Sequence, residues 1–336
     1  MGTAHAARLA LGTMMFGAWG NSDVDECVDM VRDYVDAQRA RGLPALLDTA
    51  DVYDRGRSEE ITGLALRTIQ SGAENGDRPS VLVATKVGNP MADPGSTDYV
   101  SKRGLSRRWI RESCHNSLRR LGVERIDLYQ MHRPDPDTPL IESVAAMHQL
   151  ITDGAIAAWG TSTFGSERIE EIHRICRDNG FTPPSTEQPP YSILTRDIEN
   201  SLVGTCLAHG MSLLTWAPLN GGWLTGKYDT DPHPSDRAVR EAAHFDYADE
   251  QMRERKQSLV TRLRGVADAA GMNLTEMAVR FTISSRAVGA CLLGPRTHQQ
   301  LIQLLTIAPE PLPTDVLSLI DDIVAPGTTV NPRDNQ

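Results

Sequence analysis

The chain predicts an α/β fold, a (β/α)8 (TIM) barrel with long loops and extra C-terminal helices. Eight short apolar segments alternate with helical ones over nearly all of its 336 residues. The apolar segments lack polar alternation, which is the pattern of parallel strands buried on both faces. The first strand runs into LGTMMFG, without the GxGxxG of an open doubly wound sheet, the competing arrangement. No linker-like shift in composition interrupts residues 1–336, so one domain is expected.

The elements follow in order. Residues 7–11 form a strand closed by Gly12-Thr13. A helix spans 23–41: Asp23 caps it, Val24, Val28, Val31 and Val35 share a face, and Gly42 stops it. Strand 45–49 and a helix over 58–70 come next, then strand 81–86 and a Gly/Pro/Ser-rich loop, 88–105. Ser106 opens a helix to 121 whose inner side carries Trp109, Ile110, Ser113, Ser117, Leu118 and Leu121. Strand 125–132, helix 138–152, strand 155–162, helix 166–178 and a proline-bearing strand, 185–191, continue the alternation. Helix 197–208 and strand 212–218 precede a long polar loop over 220–250. Helices 251–270 and 274–285, strand 287–294, helix 297–307 and a last helix, 314–323, complete the pattern.

Composition narrows the function. Hydrophobic residues make up 40% and charged residues 23%, enough for a large core. Lys and Arg number 34 against 44 Asp and Glu, a net charge of −10 that disfavours phosphate backbones, so no nucleic-acid partner is expected. Cys27, Cys114, Cys176, Cys206 and Cys291 are odd in number, widely spaced and without CxxC, which reads as reduced core thiols in a cytoplasmic protein. Neither a signal pattern nor a run of about 18 apolar residues occurs, and no membrane partner is expected. No metal is expected.

In such a barrel the active site lies at the carboxyl ends of the strands. The second strand ends in Asp48 with Tyr53 just beyond, the third in Lys86 and the fourth in His132. The fifth ends in Ser162-Thr163, the sixth carries Gln188 and Tyr191, the seventh Trp216, and the eighth runs into Gly294-Pro295-Arg296. Each residue alone has a plain reading: Asp48 as a turn former, Lys86 as a solubilising strand end, His132 as a structural imidazole, Tyr53 as a rim aromatic. An acid, a lysine, a histidine and a tyrosine on one rim define a chemistry together. A phenol with a pKa of about 10 is a poor proton donor at neutral pH, and a nearby ammonium favours its phenolate. A carboxylate would hold the ammonium, and a neutral imidazole would orient a carbonyl towards the phenol. That suits carbonyl reduction, with hydride reaching carbon as Tyr53 protonates oxygen, and hydride requires a nicotinamide.

These motifs resemble the aldo-keto reductases, over essentially the whole chain. The resemblance lies in LGTMMFG, LLDTADVYDRGRSEEITGLAL, VLVATKVG, RLGVERIDLYQMHRPDPDTPLIESV, WGTSTF, EQPPYSIL, LLTWAPLNGGWLTGKY and LLGPRTHQQL. It implies a (β/α)8 barrel, reduction of aldehydes and ketones with NADPH, and a tetrad of Asp48, Tyr53, Lys86 and His132. It also implies cofactor positions. Thr13 and Met14 lie beside the nicotinamide ribose, Ser162 and Gln188 bond the carboxamide, and Tyr191 stacks on the ring. Thr163 stands where the family often has Asn, a shorter reach that removes a donor. Trp216, Ala217, Pro218, Leu219, Gly221 and Gly222 match the pyrophosphate loop, and Lys227 a basic residue over the cofactor. Gly294, Arg296 and Gln300 match the site of the 2′-phosphate, which favours NADPH over NADH, while Gln303 and Leu304 depart from the usual Glu-Asn. The family's N-terminal hairpin cap is expected to be missing or reduced.

GGWLTGKY also nearly spells a phosphate-binding loop, but Tyr228 stands where Mg²⁺ binding needs Ser or Thr. Specificity is expected in the loops. Trp19, Arg133 and Trp223 are candidate substrate walls, with core packing and a rim salt bridge as the plain readings of Trp19 and Arg133. The layout looks most like the bacterial and potassium-channel-β-subunit branch, whose members reduce assorted aldehydes, ketones and nucleotide-linked keto-sugars. An NADPH-binding regulatory subunit on the same fold and a barrel aldolase with a Schiff-base lysine at Lys86 are the competing classes.

Overall fold

A computed structural model of the protein describes residues 9–72, 80–229 and 248–335. Among them eight parallel strands close into a barrel in sequence order. They are β1 (Leu9–Gly12), β2 (Ala45–Asp48), β3 (Val81–Val87), β4 (Ile126–Met131), β5 (Ile156–Ser162), β6 (Thr186–Gln188), β7 (Ser212–Thr215) and β8 (Val288–Leu293). Closure is made by β1 against β8, with Leu9 beside Cys291 and Leu11 beside Leu293. The helices of the outer ring are α1 (Val24–Ala40), α2 (Arg57–Gly72), α3 (Arg107–Leu121), α4 (Leu140–Thr152), α5 (Ser166–Asn179), α6 (Leu202–Ala208), α7 (Glu250–Ala269), α8 (Leu274–Ser284), α9 (His298–Leu305) and α10 (Thr314–Asp321). The hairpin expected to be reduced falls on residues 1–8, and most of the polar loop on 230–247, both outside the described residues.

Local chemistry sets the helix starts. Asp23 accepts from Glu26 N, Ser106 from Trp109 N and Thr297 from Gln300 N, each cap contributing about 1 kcal/mol. Val31 and Val35 of the α1 stripe are buried, with Val24 and Val28 partly buried against the core; on α3, Trp109, Ile110, Ser113, Ser117 and Leu121 are buried and Leu118 partly so.

Two segments depart from their sequence pattern. The sixth strand stops at Gln188 instead of running to 191, because Pro189 and Pro190 have no N–H for the ladder. Beyond it only an isolated bridge joins Pro190 to Trp216. The expected helix 197–208 is split into a 3-10 turn, Asp197–Glu199, and α6; Ser201 between them has an extended φ of −149°.

Strand parity separates core from site. Ala10, Leu46, Ala84, Leu128, Leu214, Ala290 and Leu292 fill the barrel interior, with Leu82, Ala158 and Trp216 packed against them. The same parity, one step up each strand, presents Asp48, Lys86, Gln130, Ser162 and Gln188 at the carboxyl end. Register sets them side by side: Lys86 pairs with Gln130 and Ser162 with Gln188.

Candidate active site

Four residues from three successive strand ends converge. Lys86 Nζ donates to Asp48 Oδ2 at 2.6 Å, to Thr49 O at 2.7 Å and to Tyr53 Oη at 3.3 Å. An ammonium has three donors, and all three are met. The Tyr53 oxygen is therefore an acceptor towards Lys86, which leaves its own O–H free to point into the cleft. The His132 ring meets Tyr53 edge-on, centroids 5.9 Å apart, and its Nδ1 is buried with no hydrogen-bond partner among the described residues.

The carboxylate of Asp48 is saturated. Its Oδ1 accepts from Gln188 Nε2 at 2.8 Å and from Gln130 Nε2 at 3.3 Å, and Gln188 Nε2 also reaches Gln130 Oε1. Gln130 was not among the residues singled out in the sequence, although a glutamine at an inward position of an apolar strand, two before His132, was the available signal. Asp48 and Lys86 are both almost fully buried. Removing one partner of such a pair costs about 3–5 kcal/mol, because an uncompensated charge is left behind.

The loop that carries Tyr53 is held from both sides. Asp54 and Arg55 adopt left-handed φ of 46° and 54°, and Asp54 Oδ2 accepts from Ala18 N at 2.8 Å. A Cβ on Gly17 would lie 2.3 Å from that carboxylate, and Gly17 has φ 102°, so glycine is required there. This tie sets Trp19, 44% exposed, edge-on to Tyr53 with centroids 6.2 Å apart. Behind the loop, Ser58 Oγ donates to Thr13 O and shares hydrogen bonds with the Thr13 and Thr49 hydroxyls, locking α2 to the ends of β1 and β2. Thr13 is thus buried and braced, and half-exposed Met14 follows it at the rim.

Electrostatics follow from the geometry. Burial, then Lys86, then Arg133 push the His132 imidazole well below its ordinary range, so it is neutral at neutral pH. Lys86 is held charged: burial opposes its ammonium, but Asp48 and Tyr53 outweigh burial and raise its pKa. Burial raises the Tyr53 phenol, and Lys86 offsets part of that rise. The lysine therefore does not bring the phenol below its usual range, as the residue types alone suggested; it limits the effect of burial.

The other half of the rim has the shape of a cradle. Gln188 O accepts from Ser162 Oγ at 2.8 Å and from Trp216 Nε1 at 3.2 Å. Thr163, Ala217 and Asn220 all have left-handed φ, between 47° and 57°, and Gly221 and Gly222 follow with 65° and 98°. Strain of about 1–3 kcal/mol at each non-glycine position is typical of ligand clamps. Pro218 and Leu219 carry the chain through this turn, and Lys227 lies against Gly222, where a Cβ would come within 2.7 Å of its Cε. At the last strand end Gly294 has open space around it. Arg296 N donates to Gln300 Oε1, and His298 N donates to Glu26 Oε1, both at 2.8 Å. The turn after β7 and the start of α9 therefore fit an extended ligand bearing a diphosphate, although two of the N–H groups expected for a phosphate already have protein acceptors.

Three sequence assignments are corrected in detail. Tyr191 does not face the cleft. The chain leaves the barrel wall at the two prolines, so its ring packs on Phe281 in the helical layer and its hydroxyl donates to Glu199 at 2.7 Å. Trp216, which shares the inward parity of Leu214, is the aromatic at the rim. Trp223 is 1% exposed and packs edge-on against Tyr228 beneath the turn, so it supports the cradle from below. The Thr163 hydroxyl is engaged within the protein: it donates to Ser162 O and accepts from Arg133 Nη1.

The clamp below the turn is the second feature that the sequence did not disclose. Lys256 Nζ donates to Asn220 Oδ1 at 3.0 Å and to Asp334 Oδ2 at 2.9 Å, and Asn220 Nδ2 donates to the same Asp334 oxygen.

A closed parallel barrel with an Asp/Tyr/Lys/His set at its carboxyl end and a cradle beside it defines a class of barrel oxidoreductases. The chain matches the model of the Aldo/keto reductase family over residues 8–325, and it belongs to that family. It is similar to a probable voltage-gated potassium channel subunit beta of Arabidopsis thaliana, 30% identical over 94% of this chain and 91% of that one. A putative subunit of the same description from Schizosaccharomyces pombe is 32% identical over 82% of this chain and 79% of that one. Among solved structures, a glycerol dehydrogenase from Gluconobacter oxydans superposes with a TM-score of 0.78 at 31% identity, covering 97% of this chain and 94% of that one.

Proposed function

We propose that the protein is a cytoplasmic, NADPH-dependent reductase of aldehyde and ketone carbonyls, with Tyr53 as the proton donor. The observation that carries this reading is the direction of the Lys86–Tyr53 hydrogen bond. Because Lys86 donates, the Tyr53 proton is available to a substrate oxygen, and the phenolate left behind is met by an ammonium already in place. His132, neutral and edge-on to Tyr53, orients the carbonyl and carries no charge that would compete. Asp48 keeps Lys86 charged and fixed. The bound nicotinamide supplies the hydride.

Ser162, Gln188 and Trp216 would hold the nicotinamide end, the 217–222 turn and Lys227 the diphosphate, and Arg296 with the start of α9 the 2′-phosphate. Trp19 and Arg133 border the substrate. Five buried, unpaired thiols fit a reducing compartment. A panel of aldehydes and ketones, followed at the NADPH absorbance, tests the reading. Saturable NADPH oxidation that is lost in Tyr53→Phe supports it, and turnover unaffected by that change overturns it.

The similarity to two potassium channel β subunits favours a second reading, an NADPH-binding β-type subunit with little turnover. Tight NADPH binding with no carbonyl reduced across the panel would select it.

A further inference from the structure

Arg133 follows His132 on the rim and is half-buried. Its Nη1 donates to Thr163 Oγ1 at 3.1 Å, and among the described residues no carboxylate lies within ion-pair distance of it. A guanidinium has five donors, so most of this fork remains for a ligand. It is also close enough to Tyr53 for the two to interact electrostatically.

The other charges of the site do not cancel it. Lys86 is balanced by Asp48 at 2.6 Å. Behind Arg133 lies Glu187, fully buried, its carboxyl bonded by Thr161 Oγ1 and Phe164 N. Burial pushes that carboxyl up to about 8, so it is mostly neutral at neutral pH. In a chain of net charge −10, Arg133 thus places a positive charge beside the proton donor, without an ion-pair partner among the described residues. Thr163 holds the fork in place at the expense of a left-handed φ of 57° in a β-branched residue, a conformation for which side chains of this shape are poorly suited.

We propose that Arg133 selects carbonyl substrates that carry an anionic group, a carboxylate or a phosphate, near the reacting carbon. The inference rests on the reading of the site as a carbonyl reductase. Arg133 supplies two parallel N–H donors to the anion while Tyr53 and His132 take the carbonyl oxygen.

The test compares 4-formylbenzoate with its methyl ester, and glyceraldehyde 3-phosphate with glyceraldehyde, in wild type, Arg133→Gln and Arg133→Lys. The wild type is expected to favour the charged member of at least one pair by about tenfold or more in kcat/KM, mainly through KM; which pair shows it tells carboxylate from phosphate. Arg133→Gln should bring that ratio close to one, and Arg133→Lys should restore part of it. A wild type without preference, or a preference that survives Arg133→Gln, overturns the proposal. So does a loss of NADP+ binding in Arg133→Gln, read by tryptophan fluorescence, as large as the loss of preference, because Arg133 would then serve the cofactor. If the wild type reduces neither aldehyde, the reductase reading fails separately. Benzoate and phosphate binding to the NADP+ complex then decides: Arg133-dependent binding sustains the anion site, and its absence overturns it.

Discussion

Lys86 donates to the phenolic oxygen of Tyr53 across 3.3 Å, and this direction of donation orders the whole site. It makes the tyrosine oxygen an acceptor on one side and its hydroxyl a donor on the other. It also requires Lys86 to stay charged, which Asp48 does most to secure and Tyr53 supports.

The Asp48–Lys86 pair should therefore behave as a unit in stability measurements. Lys86→Met leaves Asp48 buried without a counter-charge and is expected to cost about 3–5 kcal/mol in a urea titration. Asp48→Asn should cost a comparable amount. The double variant should lose well less than the sum of the two single losses, because neither charge is then left alone. Additive losses would show that the pair is not coupled.

Glu187 gives a pH signature. Its carboxyl stands at about 8 against an ordinary value near 4.5. The folded state therefore holds a proton that the unfolded chain releases, so this contribution is fully present below about pH 4.5 and is lost as pH rises towards 8. Glu187→Gln does not titrate and can keep the bonds with Thr161 and Phe164. Its melting temperature relative to wild type should rise from about pH 5 to about pH 8. Asp51, raised to about 7 by burial and by Glu59, titrates in both proteins and cancels in the difference. A difference that stays flat over this range would contradict the assignment.

Glu26 bears on cofactor choice. Its carboxylate accepts from His298 N at the start of α9, and that bond holds its pKa below the ordinary range. A 2′-phosphate placed there would meet a like charge. Glu26→Gln is expected to lower KM for NADPH by about two- to fivefold while leaving KM for NADH in place. An equal change for both cofactors would move the phosphate site elsewhere.

Asp334 joins Asn220 to Lys256 beneath the cradle turn. Asp334→Ala removes both bonds and is expected to cost about 1–3 kcal/mol. It should also raise the dissociation constant for NADPH, measured by fluorescence titration, because the left-handed turn loses its anchor. Unchanged cofactor affinity would confine Asp334 to a purely structural role.

Much of this was legible in the sequence, for identifiable reasons. Strand ends show as a change from apolar to polar residues, and a parallel barrel turns those ends into one rim, so Asp48, Lys86 and His132 could be placed together without coordinates. Tyr191 could not, because parity holds only while the chain stays in the ladder, and Pro189-Pro190 end it early. Trp216 keeps the inward parity of Leu214, so its place in the sequence leads to the interior of the barrel end. Gln130 is harder to read, because it sits inside a strand instead of beyond its end. The burial of Trp223 has no local signal, because it follows a turn of Asn220, Gly221 and Gly222 whose left-handed φ values redirect the chain. The contact between Lys256 and Asp334 joins residues 78 apart in sequence and had no local signal.

The most direct measurement is single-turnover reduction of an aldehyde by the NADPH-loaded protein in wild type and Tyr53→Phe, with NADPH affinity measured on both. The expected result is a fall in the hydride-transfer rate of about 10²–10⁴-fold with NADPH binding retained, the size of a lost general acid. An unchanged rate in a folded, NADPH-binding Tyr53→Phe variant would contradict Tyr53 as the proton donor.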